Sequence, residues 1–288
     1  MLTYLDRLLA DLSEIETKYV GIVDASEVHN VDPNRRGSGV VFIGAQKWGW
    51  VPALGQQEAR RAECLRPFKA WMVRFRLLFP DPLPRVAKVL KGSEDHILSW
   101  LERNKGDHSI SPDKEKRLAR ATKDVEELRM LTQLLPSDDW DVRVVTDTNV
   151  LIDDPDVAMY VDQLGKRYLV HVLPIVMREI DELKRSGRTP ELRENAKRAD
   201  RRLKSYRNNG DVQVGVRVAG DVFVQFEHAD PKSDHLPSWL DLSVPDDRFV
   251  ASVLLLQSDH PSSAVIVATG DMNMQTKLSA VGLPFIEP

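Results

Sequence analysis

Near residue 140 the spacing of apolar side chains changes period, and this constrains the fold more than any other feature of the chain. Before that point the spacing is helical. Leu2, Leu5, Leu8, Leu9, Leu12, Ile15 and Tyr19 recur at three- and four-residue steps, the stripe of an amphipathic helix. A second stripe runs from Gln56 to Leu78 through Leu65, Phe68, Trp71, Met72 and Phe75, and Pro80, Pro82 and Pro84 end it. A third helix is expected over Arg85 to Glu102, interrupted near Gly92. Ser111-Pro112-Asp113, an N-cap with Pro at the first helical position, opens a fourth, which carries Leu118, Ala121, Val125, Leu128, Leu131 and Leu135. Gly21 to Leu54, which holds the short apolar run Val40 to Ile43, breaks the pattern and reads as loop with one or two short strands; its Trp48 and Trp50 are expected on the surface. The helical aromatics Phe68, Trp71 and Phe75 are expected in the core.

After Pro136-Ser137-Asp138-Asp139 short β-branched runs take over: Val142 to Thr146, Tyr168 to Leu173, Val212 to Val218, Val222 to Phe226 and Ala264 to Ala268. Helix-like segments separate them at Val157 to Leu164, Pro174 to Lys184, Pro190 to Arg207, Asp247 to Gln257 and Met274 to Ala280. Strands alternating with helices predict an α/β domain with a parallel sheet covered by helices. The pair of runs around Gly220 predicts an inserted antiparallel hairpin. The expected organisation is a mainly α-helical domain over 1–139 and an α/β domain over 140–288.

The length agrees with two domains, since 288 residues is about twice the commonest domain size. With 42% hydrophobic and 29% charged residues the chain lies far from the composition of disorder. Cys64 is the single cysteine, which excludes an intramolecular disulfide, a zinc knuckle and an iron-sulfur cluster. The absence of a long apolar run and the acidic first residues predict a cytoplasmic protein with no membrane association. The net charge of -4 is unevenly spread: the first 139 residues hold 22 bases and 21 acids, so the deficit belongs to the second half.

Functional groups in an open parallel sheet gather beyond the carboxyl ends of the strands, and here the residues at those ends are acids. Asp147 directly follows the first run and Asp271 follows the last within Thr269-Gly270-Asp271; Glu179 lies in the first turns of the helix opened by Pro174, and Asp246 and Asp247 begin another helix. A single aspartate at such a place is ordinarily a helix cap, but four together in one cleft would repel one another unless a cation intervenes. They therefore predict a hard divalent metal, Mg²⁺ or Mn²⁺, and phosphoryl chemistry. The seven histidines never pair at ligand spacing, which argues against a zinc hydrolase.

These residues resemble the PIN-domain nucleases in motif and order over about Asp141 to Pro288. Val144 to Ile152 is similar to the opening strand of that family with its first metal-binding acid, Asp147, and the neighbouring Asn149. Leu173 to Lys184 resembles the second motif, with Glu179 as its acid, and Pro245 to Val250 the third, with Asp246 as the ligand and Asp247 as the alternative. Thr269 to Met274 resembles the fourth, with Asp271 as acid and Thr269 as the hydroxyl residue that orients the first aspartate. The likeness is to the longer PIN domains of the kind attached to PhoH-type ATPases, which also carry a basic helix after the second motif. Ten bases crowd that place here: Lys184, Arg185, Arg188, Arg193, Lys197, Arg198, Arg201, Arg202, Lys204 and Arg207, against Glu191, Glu194 and Asp200. They wind around a helix and are expected to hold phosphates without reading bases.

The resemblance implies a metal-dependent endoribonuclease that cuts single-stranded RNA with a metal-activated water, leaving a 5′-phosphate and a 3′-hydroxyl. Asp147 and Asp271 would bind the principal ion, Asp246 would join them, and Glu179 would hold a second ion or orient the water. It also implies homodimers, and a role in RNA turnover, as a toxin or in defence. The alternatives are a silent PIN fold that binds RNA or protein, a DNA nuclease, and an aspartyl-phosphate phosphatase. The last would want an acid at Asn149. The N-terminal half resembles no family; substrate recognition, dimerisation or binding of a regulatory protein are its open roles.

Overall fold

The computed structural model describes residues 2–31, 48–52, 55–103, 110–232 and 235–288. Two compact units divide the chain: Asp6–Leu135, and Pro136–Pro288 together with the described residues up to Leu5. No helix among the described residues is long and apolar enough to cross a membrane.

The N-terminal unit is helical. Helix α1 (Tyr4–Asp24) runs five residues past the expected end at Tyr19, because Ile22 and Val23 continue its buried stripe beyond Leu8, Leu12, Ile15 and Tyr19. Helix α2 (Gly55–Leu77) continues through Pro67 and buries Phe68, Trp71 and Phe75, which are core as expected. Trp71 stacks on Phe75 with ring centres 4.4 Å apart, and its indole N–H donates to the Leu8 carbonyl at 2.8 Å. Helix α3 (Pro84–Glu102) passes Gly92 without interruption. Helix α4 (Lys114–Leu131) starts later than expected: Pro112 precedes the cap instead of holding the first helical position, because the Asp113 carboxylate accepts the Glu115 and Lys116 amides.

Strands β1 (Val28–Asn30) and β2 (Trp48–Trp50) form a two-stranded antiparallel sheet. The expected run Val40 to Ile43 lies outside the described residues. The expectation of surface tryptophans fails: Trp48 and Trp50 are half-buried, and Trp50 meets Trp100 edge-on at 5.7 Å. A large ring in a short strand beside a helix loses water to the nearest apolar face, which here belongs to α3.

The C-terminal unit is built on a six-stranded sheet. Its strands are β3 (Val142–Thr146), β4 (Arg167–Val172), β5 (Val216–Ala219), β6 (Asp221–Phe226), β7 (Ala264–Ala268) and β8 (Phe285–Ile286), in the order β5-β6-β4-β3-β7-β8. All pairings are parallel except β5 with β6, the hairpin expected at Gly220, whose φ of 51° supplies the left-handed turn. β3 and β7 are buried along their whole length, the signature of central parallel strands. Helices α5 (Thr148–Asp153), α6 (Val161–Leu164), α7 (Pro174–Ser186), α8 (Pro190–Asn208), α9 (Pro245–Asp259) and α10 (Met272–Ala280) connect them. The fold is thus α/β with a mostly parallel sheet, and the N-terminal unit is mainly helical.

Three details differ from the spacing. Val150-Leu151-Ile152 belongs to the short helix α5, Val157 to Tyr160 precedes rather than joins α6, and β8 was hidden among Gly282, Pro284 and Pro288.

Candidate active site

The chain makes β3, moves to β4 on one side, and later returns to β7 on the other, so the strand order reverses at β3. The crevice at such a switch point is the usual ligand position of an open α/β sheet. Thr146 stands opposite Ala268, and the residues that follow, Asp147 and Thr269, leave the sheet side by side; the Asp147 amide donates to the Ala268 carbonyl at 3.0 Å.

The buried hydroxyl of Thr269 joins the two aspartates that the sequence placed here. It donates to Asp147 Oδ2 at 2.9 Å and accepts the Asp271 amide at 3.1 Å. Burial raises the Asp147 carboxyl above its ordinary range, and the neighbouring Asp271 adds to the effect. Asp271 caps α10 through Oδ1, which accepts the Met274 amide at 2.9 Å. The cap does not exclude the metal reading, because a carboxylate has a second oxygen.

Glu179 lies in the second turn of α7, which begins at Pro174 immediately after β4. The Thr148 hydroxyl donates to its Oε2. Burial raises Glu179, and the charges of Asp147 and Asp246 raise it further. Glu179 therefore shares one electrostatic neighbourhood with both.

Asp246 and Asp247 differ in surroundings. Asp247 is buried, one oxygen accepting the Asp241 amide at 2.9 Å and the other meeting the Lys277 ammonium at 2.8 Å. Burial alone would raise its carboxyl, but Lys277 and the Asp241 amide hold it below the ordinary range. Asp246 is less buried; its Oδ2 accepts from Asn273 at 2.9 Å and lies 3.3 Å from Lys277. Of the two, Asp246 is the one whose charge Glu179 feels.

Among the described residues no three Asp, Glu, His or Cys side chains converge closely enough to hold an ion. The four acids are drawn instead to Thr269, Thr148, Asn273, Lys277 and the Met274 amide. The donor set nonetheless fits a hard divalent ion: it consists of carboxylate oxygens, two of them raised by burial and mutual repulsion, the condition an added cation relieves. Asn149 is exposed on α5 and, with Asp271, lines a cleft of about 570 Å³.

The expected basic residues are not on one helix. Lys184 and Arg185 end α7, Arg188 lies in the turn, and the remainder belong to α8. Several serve the fold. Lys184 is mostly buried between Asp181 and Asp200, Arg193 donates to the Gly187 carbonyl, and Arg198 ties α8 to α5 through the Ile152 and Asp153 carbonyls. Arg202 lies over Tyr206. Arg185, Arg188, Lys197 and Arg201 are exposed, the last two near Glu194.

The spacing missed Thr148, Asn273 and Lys277. The last two carried a readable signal: four residues apart just after Asp271, they share a face of α10 and both reach Asp246. Thr148 carried none, since its hydroxyl finds Glu179 only once β4 has paired with β3.

No curated protein matches this chain in sequence. Against known families, residues 144–287, half of the chain, match the PIN domain. The chain therefore belongs to the PIN-domain family, whose members are typically metal-dependent nucleases.

Proposed function

We propose that the C-terminal unit is a metal-dependent endoribonuclease that hydrolyses single-stranded RNA to 5′-phosphate and 3′-hydroxyl ends. The observation that carries this reading is the Thr269 hydroxyl bridging Asp147 and the Asp271 amide at the switch point, with Glu179 and Asp246 within electrostatic reach. Mg²⁺ or Mn²⁺, when bound, supplies charge for the phosphate oxygens and acidity to a coordinated water. Asp147, Asp271 and Asp246 are the residues to hold the ion. Asp246 is preferred over Asp247, whose two oxygens are both engaged. Glu179, raised by burial, orients the attacking water, and Thr148 fixes its carboxylate. Asn149 faces the substrate cleft. Arg185, Arg188, Lys197 and Arg201 hold phosphates on either side of the scissile one, a sequence-independent grip.

The N-terminal unit is proposed as the part that recognises substrate, a regulatory protein or a second copy; sedimentation of the full chain reads the last directly.

Incubating the full chain with labelled single-stranded RNA, single-stranded DNA and duplexes, with Mg²⁺, Mn²⁺ or EDTA, tests the reading beside Asp147→Asn. Cleavage of RNA that needs the metal and Asp147 supports it. Binding without cleavage under every metal would point to a silent module, and hydrolysis of a phosphomonoester lost in the variant to a phosphatase.

A further inference from the structure

Lys277 occupies the middle of α10, four-fifths buried, with its ammonium 2.8 Å from Asp247 Oδ1 and 3.3 Å from Asp246 Oδ2. The family resemblance gives it no role. Its surroundings are specific. Asp247 is held from behind by the Asp241 amide, and Asp246 Oδ2 also accepts from Asn273 one turn earlier on α10. A largely buried ammonium needs carboxylate partners to offset its desolvation, and the buried Asp247 at the start of α9 equally needs a cation. The lysine thus sits on the side of the acidic centre that Asp246 contributes, while Asp147, Thr269 and Asp271 form the other side.

Two-metal phosphodiester hydrolases place their ions about 3.5–4 Å apart, each on its own carboxylates. A second ion added on Asp246 Oδ2 would meet the Lys277 charge at close range. We propose that Lys277 is the second cation of the centre: a fixed ammonium serves Asp246 Oδ2, and a single divalent ion, held from Asp147 and Asp271 with Asp246 joining through its other oxygen, completes the site. This rests on the metal-dependent reading above. Lys277 is here a positioning residue, aiming Asp246 and reducing the charge that one ion must balance.

Manganese counting tests this without activity. The metal-free full chain is titrated with Mn²⁺ without nucleic acid, bound ion is counted by electron paramagnetic resonance, and the background is the double variant Asp147→Asn, Asp246→Asn. Wild type is expected to hold one Mn²⁺ above that background, Lys277→Arg one, and Lys277→Met two, with unchanged circular dichroism. Two ions in the wild type overturn the proposal and leave the metal-dependent reading standing; none overturns both. One ion in a folded Lys277→Met also overturns it. Should that variant not fold, the wild-type count and Lys277→Gln, which keeps a donor but no charge, decide it in the same terms.

Discussion

Thr269 does two things with one hydroxyl: its proton goes to Asp147 and its lone pair receives the Asp271 amide. A valine there keeps the shape and loses both. Hydrogen bonds to charged groups contribute about 1.5–3 kcal/mol, so Thr269→Val is expected to lower unfolding free energy by about 2 kcal/mol in urea titrations and to abolish most nuclease activity. Thr269→Ser restores both, and a valine variant with full activity would remove the bridge from the mechanism. Thr148 makes the corresponding argument for Glu179. Its hydroxyl is the only hydrogen-bond partner of that carboxylate among the described residues, so Thr148→Val leaves Glu179 free to turn. The expected result is a fall in kcat of at least about tenfold, or 1.4 kcal/mol of barrier, with little change in KM for RNA, and recovery in Thr148→Ser. A shift confined to KM would instead assign Thr148 to substrate binding.

At the scale of elements, the sequence showed the main helices and central strands, because their apolar periods are set by burial on one face or on both. It showed the acids too, since strand ends in a parallel sheet predict where they gather. What it could not show depended on contacts between distant segments. β8 has two residues and exists because the Val267 and Thr269 amides reach Pro284 and Ile286. α5 was hidden because Val150-Leu151-Ile152 reads as strand as well as helix. The basic stretch was legible as charge but not as roles: burial between two aspartates sets Lys184 apart from Arg185, Arg188, Lys197 and Arg201, and carbonyl partners set Arg193 and Arg198 apart from them. This division predicts opposite phenotypes. Lys197→Glu with Arg201→Glu should leave the melting temperature nearly unchanged and weaken RNA binding, with the slope of log affinity against log salt reduced by about 0.7 for each phosphate the protein no longer neutralises. Arg198→Ala should instead destabilise the unit, because the last carbonyls of α5 lose their donor. Equal salt slopes for the double variant and wild type would take α8 out of the substrate path.

Across the whole C-terminal unit, a chain of charged and polar side chains joins segments far apart in sequence. Asp138, just before β3, forms an ion pair with Arg143 at 2.8 Å and meets His260, at the end of α9, at 2.6 Å; Arg143 donates to His171 Nε2 on β4 at 2.9 Å, and His171 Nδ1 meets Glu227, after β6, at 2.7 Å. A guanidinium can only donate, so His171 Nε2 must accept and its Nδ1–H must point at Glu227: the network requires a neutral imidazole. Burial lowers both His171 and His260, with the Arg143 charge acting in the same direction. Burial alone would raise Asp138, but Arg143, the Trp140 amide and His260 bring it down to about 2, and Glu227 is lowered by its hydrogen bond from His171. Each of these groups therefore binds its proton less readily folded than unfolded, so their contribution is complete above the ordinary values and is lost as pH falls. The imidazoles act first, below their ordinary 6.5, and the carboxylates later, Asp138 between 3.8 and about 2. Asp259, raised by burial beside His260, opposes this, as do Asp147 and Glu179. The melting temperature should consequently drop from pH 7 to pH 5, opposed only by the carboxyls that burial raises, Asp147, Glu179 and Asp259, and drop again below pH 4. In His171→Gln the amide oxygen can accept from Arg143 and the amide nitrogen donate to Glu227 without titrating, so calorimetry should find the first drop reduced and the second retained. A drop between pH 7 and pH 5 as large in His171→Gln as in the wild type would show that His171 titrates alike in the folded and unfolded chain, and that Arg143 does not hold it neutral.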